Sequence, residues 1–264
     1  MNIILWELKS MRKSMLIWSF VFIIFLVMMF SEFSAYYDNP EMGEILDLIP
    51  EGFLEAFGMA GANLTTINGF LSVMVLYVHL MVGVYGILLG SNIIGKEERD
   101  KTAEFLMIKP VTREKIIITK IVSAIISSLL MIFVIGMTLF AALQPYHPTM
   151  DNYRFIGIIL GGNLFVMWIY LFAGLLIASV LKRFKKIGGI SIAAVLITYL
   201  LSVIATLSDS VEFLKYVSPF SYFEGHQLYQ DMGYEPGALL FTSLVILIAS
   251  TGIFLVYPRR DLRL

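Results

Sequence analysis

Six long stretches of this chain carry no charged residue, and polar, charge-bearing gaps separate them. The stretches run roughly over Ser14–Ser31, Ile67–Ile94, Ile121–Leu143, Phe155–Leu181, Ile187–Leu207 and Leu239–Tyr257. Each approaches the roughly 17–25 residues that cross a hydrocarbon core as a helix. The pattern predicts an all-α polytopic membrane protein with spans at about 14–36, 67–94, 116–143, 155–181, 187–207 and 237–257. They form one membrane-spanning unit over residues 1–264. The longest gaps are roughly 35 residues, which leaves no room for a soluble catalytic domain.

Charge adds an orientation. Of the 19 basic residues, all but Arg154 and Lys215 fall at the termini or in the second and fourth gaps. The positive-inside rule then puts both termini in the cytoplasm. The first gap holds Glu32, Asp38, Glu41, Glu44, Asp47, Glu51 and Glu55 without a Lys or Arg, as expected of an external segment. Its acidic residues recur at helical spacing, which suits a solvated face better than the converging ligands of a cation cage. The composition, 58% hydrophobic and 15% charged, lies well away from a soluble domain. With no cysteine, disulfides, thiolate metal sites and cysteine nucleophiles are excluded. No metal site and no nucleic-acid partner are expected.

The gaps predict short elements. Residues 2–13 are dense in apolar positions, with Trp6 at headgroup level, and are expected to form an interfacial helix on the cytoplasmic surface. A charged tail that halts translocation is the plainer alternative. In the first gap, one short helix is expected to end at Pro50 and another to cover Phe53–Phe57. The fifth gap, Ser208–Pro236, is rich in Phe and Tyr, and Pro219 should break it into two short helices. These either insert partly over the external mouth or form a simple aromatic belt.

Within the spans, His79 is the ionisable side chain nearest a helix middle, while Lys120 and Arg154 lie near ends from which they can snorkel. One histidine is not a proton relay. His79, Asn92 and Asn163 are candidates for lining a pathway, with interhelical hydrogen bonds as the plainer role. Gly83, Gly86 and Gly90 in the second span, with Gly161, Gly162 and Gly174 in the fourth, predict close helix packing. The 15 methionines suit a deformable apolar lining.

The most specific segment is the second gap, Gly95–Lys120. Glu97–Met107 reads as a short amphipathic helix stopped by Pro110, after which Thr112 caps the next helix with Glu114 in its first turn. Glu97, Glu98, Thr102, Glu104, Leu106, Pro110, Val111, Thr112 and Arg113 resemble the region between the second and third membrane helices of ABC-2 type transporter permeases. Lys101 stands where that family commonly has glycine, and Ser218–Phe223 resembles its run before the last span. The resemblance implies one of two permease subunits, in a homodimer or heterodimer, in a bacterial plasma membrane. It also implies coupling to a separate ATP-binding subunit through Glu97, Glu98, Arg99, Lys101, Thr102, Glu104, Phe105, Leu106 and Arg113. Lys182, Arg183, Lys185 and Lys186 would make a smaller second contact. ATP and Mg would belong to that partner. This chain has no GxxxxGK[ST] loop to cradle ATP phosphates and is not expected to be an enzyme.

The expected function is export of an amphipathic or hydrophobic cargo such as a peptide, a drug or a lipid-like molecule. Small permeases of this kind resemble antimicrobial-peptide export and self-immunity systems. An ion-coupled secondary transporter calls for paired carboxylates or broken helices at mid-membrane. An intramembrane enzyme needs a nucleophile–base pair. A non-transporting immunity protein is separated from the exporter only by ATP dependence.

Overall fold

The computed structural model describes residues 3–39, 41, 48–59, 61–99, 112–181, 184–207 and 209–259. Among them there is no strand. Six helices are long and apolar enough to cross a membrane. They are α1 (Ile3–Tyr36), α3 (Ile67–Arg99), α4 (Arg113–Leu143), α5 (Met150–Val180), α6 (Phe184–Leu207) and α9 (Pro236–Val256). Between them lie α2 (Glu51–Ala56), α7 (Pro219–Tyr222) and α8 (Gly225–Asp231), with a 3-10 segment at Asp209–Tyr216.

The N-terminal segment corrects one expectation. Residues 2–13 were expected to form a separate interfacial helix, yet Ile3–Tyr36 is one helix of 34 residues. No glycine or proline interrupts it, so nothing in the sequence breaks the hydrogen-bond ladder. At the standard rise it is about 51 Å long, well beyond a ~30 Å hydrocarbon core. Its first turns therefore project past the core, and Glu7 and Met11 face inward.

Helix starts follow local chemistry. Thr112 has an extended backbone and its hydroxyl accepts from the Lys115 amide at 3.3 Å, with Glu114 in the first turn of α4. Before α5, the Thr149 amide donates to Asn152 Oδ1 at 2.7 Å. Asn152 Nδ2 in turn donates to Asn68 Oδ1 at 2.8 Å, joining the starts of α5 and α3.

The centre of the bundle is the α3–α5 pair. Their most apolar windows are 67% and 61% buried, against 17% for α1 and α9. Glycines allow the close approach. A Cβ on Gly90 would sit 2.1 Å from Leu171 O, one on Gly86 2.5 Å from Met167 O, and one on Gly174 2.2 Å from Ile87 O. Of the six glycines expected to let helices close up, these three bring backbone against backbone. Gly161 meets the Tyr234 hydroxyl instead, and that hydroxyl donates to Ile158 O at 2.6 Å.

The chain between α6 and α9 packs against the bundle rather than hanging as a loop. Phe220, Phe223 and Leu228 are buried, and Ser218 Oγ donates to Thr198 O at 2.9 Å. Gly225 brings α8 so close to α3 that a Cβ there would lie 1.8 Å from Ser72 O. Pro219 opens α7, as a residue without an amide donor can at a first helical position.

Candidate functional site

Four charged side chains from three helices meet at one end of the bundle. Glu7 comes from α1, Lys96 and Glu97 from the last turns of α3, and Lys120 from the second turn of α4. All four are buried, and Glu7 and Lys120 are fully so. Lys120 Nζ donates to Glu97 Oε1 at 2.5 Å and to Ile93 O at 2.5 Å. Lys96 Nζ donates to Glu7 Oε2 and, at 2.7 Å, to Ser10 Oγ, and it stands 4.5 Å over the Trp6 ring. The other Glu7 oxygen is 3.3 Å from Lys120 Nζ, near enough to pair but off the hydrogen-bonding direction.

The set is formally balanced, with two carboxyl and two amino groups. Burial of unpaired charges at this depth costs several kcal/mol each, and mutual pairing with added hydrogen bonds offsets it. The arrangement can do one thing chemically: hold α1, α3 and α4 in a single register. It corrects the expectation that Lys120 snorkels to the surface. The lysine is fully buried because Glu97 and the Ile93 carbonyl lie within its reach inside the bundle. A signal for this was present, since Lys120 sits between Ile117–Ile118 and Ile121–Val122 in a run with no other charge.

The same cluster reassigns Glu97, which faces inward against Lys120 rather than outward toward a partner. Glu97, Glu98 and Arg99 form the end of α3 and do not begin a new helix. Glu98 is partly exposed, while Arg113 is exposed and donates to Pro258 O at 2.8 Å. Lys101, Thr102, Glu104, Phe105 and Leu106 lie outside the described residues, as do Lys182 and Arg183. Lys185 is in the first turn of α6, and Lys186 beside it is exposed.

The three candidate pathway residues do not share one cavity. Asn92 lines a cavity of about 240 Å³ between α1 and α3, beside Lys96, Ser10 and Tyr85. His79 lines a cavity of about 330 Å³ toward the other end of α3, roofed by the segment between α6 and α9. Asn163 is buried in α5 and lines neither. Among the described residues, His79 Nε2 and both polar atoms of the Asn163 side chain have no hydrogen-bond partner, so these atoms do not make the interhelical bonds expected of them. His79 Nε2 instead faces the bare backbone of Gly162, where an added Cβ would lie 3.5 Å away.

The His79 cavity is polar at its mouth. Glu212, Glu224 and Glu235 line it with Lys215, which pairs with Glu212 at 3.3 Å. Gln227 Nε2 donates to Glu235 Oε1 at 2.5 Å. Burial above all, then Tyr216 and Glu235 nearby, pushes the Tyr222 phenol above its ordinary range. No three His, Asp or Glu side chains among the described residues converge to hold a metal ion.

Six apolar helices among the described residues, two of them a tightly packed central pair, define a multi-pass all-α membrane protein. The family described as ABC-2 family transporter protein matches residues 1–262, and the chain belongs to that family. It is thus a membrane transporter permease, of the kind that serves as the membrane subunit rather than the ATPase. No curated protein matches the chain.

Proposed function

We propose that this chain is the membrane subunit of an ATP-driven exporter, working as a dimer with separate ATP-binding subunits. The observation that carries the reading is the family match over nearly the whole chain, 1–262. The buried charge cluster adds support. It joins α1, α3 and α4 at the end where the chain leaves α3 for residues 100–111, the segment whose sequence resembles a coupling element. Force applied there by a docked ATPase would be transmitted to three spans together instead of being lost in bending one of them.

The cargo in this reading is amphipathic or hydrophobic. The broad apolar faces of α1, α6 and α9, including Leu16, Phe20, Ile197 and Leu247, suit lipid and a second subunit. Both termini and the segment 100–111 would be cytoplasmic by the positive-inside rule.

The test is co-expression with an ATP-binding subunit encoded beside the gene, followed by co-purification and ATPase assays in lipid with and without an amphipathic peptide. A stable complex whose hydrolysis responds to the peptide supports the reading. Failure to associate with any ATP-binding subunit overturns it.

A further inference from the structure

The cavity of about 330 Å³ beneath the α6–α9 segment falls in the size range of small-molecule sites. Its lining is unusual for a void inside a membrane bundle. Three carboxylates and one ammonium ring the mouth, a formal excess of two negative charges. Lys215 is engaged with Glu212, and Glu224 makes no capping bond although it precedes α8. Deeper, the wall changes to Leu76, Phe220 and Phe223. Two further wall residues hold unpartnered polar atoms, Nε2 of the fully buried His79 and Oγ of Ser221.

Those features select among ligands. The carboxylates are spread around the opening and do not converge on a point, so a bare divalent ion finds no coordination shell. An anion is repelled by the excess negative charge. A neutral apolar molecule gains nothing from the carboxylates. A cation with an apolar body satisfies both parts. Its charge sits among the carboxylates and over the Tyr216 and Tyr222 rings, and its body rests on Leu76 and the two phenylalanines.

We propose that this cavity is a binding site for a small organic ammonium ion. The site is built entirely from one subunit, at the opposite end of α3 from Lys96. It needs no ATP-binding partner, so it stands or falls separately from the exporter reading.

The experiment measures equilibrium dialysis of radiolabelled benzyltrimethylammonium against the protein in phosphatidylcholine nanodiscs, with empty discs subtracted. Neopentylbenzene, the uncharged molecule of the same shape, is the comparison. The expected result is at least tenfold tighter binding of the cation. The combined Glu212→Gln, Glu224→Gln and Glu235→Gln variant should lose that preference. All three glutamates are exposed, so the variant is expected to fold, and an unchanged thermal transition checks that it does. Equal binding of cation and isostere, or an undiminished preference in the folded triple variant, overturns the proposal.

Discussion

Lys120 Nζ on α4 lies 2.5 Å from Glu97 Oε1 on α3, with both side chains buried. The pair closes a chain of contacts that reaches Glu7 on α1 through Lys120 and again through Lys96. Removing one member strands its partners. Lys120→Met should destabilise the protein by about 3–5 kcal/mol, because two carboxylates are left facing a single ammonium. Lys120→Met with Glu97→Leu restores the balance and should recover much of that loss. Thermal unfolding in detergent checks both, and a double variant as unstable as the single one would refute a mutually compensating cluster.

The contact between α3 and α5 gives a second prediction. A Cβ on Gly90 would lie 2.1 Å from Leu171 O, whereas one on Gly157 would meet nothing within 4 Å. Gly90→Val should therefore force the helices apart and cost more than about 2 kcal/mol, the usual scale of overpacking. Gly157→Ala should be neutral or slightly stabilising, since alanine is the better helix former. Unfolding curves of the two variants side by side distinguish a packing constraint from a general intolerance of substitution.

The start of α5 gives a third. Asn68→Ala removes the acceptor for Asn152 Nδ2 but leaves the Thr149 amide its Asn152 Oδ1 partner. Interhelical hydrogen bonds of this kind average ~0.6 kcal/mol in membranes and reach about 1.7. The loss should fall in that interval, and a double-mutant cycle with Asn152→Ala measures the coupling.

Coupling to an ATPase gives a fourth. Glu98→Lys combined with Glu104→Lys should uncouple transport from ATP hydrolysis while leaving membrane insertion intact. Glu97 is left out because it serves the buried cluster, so replacing it would confuse stability with docking. Reconstituted vesicles that transport normally with the double variant would remove the coupling role from this segment.

The number of spans, their approximate positions and the sorting of charge between alternate gaps are all legible in the sequence. Length and hydropathy suffice for this, because the bilayer demands a fixed run of apolar residues whatever they pack against. The family was legible from Glu97, Thr102, Glu104 and Pro110–Arg113, a local pattern that needs no fold. The glycines also pointed correctly to α3 and α5, since a missing side chain marks where backbones can touch.

Which helices are central and which charges are inside depends on how the helices pack. These helices are apolar all round, so periodicity does not say which face meets protein and which meets lipid. Lys120 looked like a residue that snorkels, and it is buried because α1 and α3 bring Glu7 and Glu97 within reach. Glu97 matched the coupling motif, yet its place on the inner face of α3 turns it toward that lysine. His79, Asn92 and Asn163 were alike in sequence and do not line one cavity. The partners of a buried polar group come from other helices, and only packing brings those together.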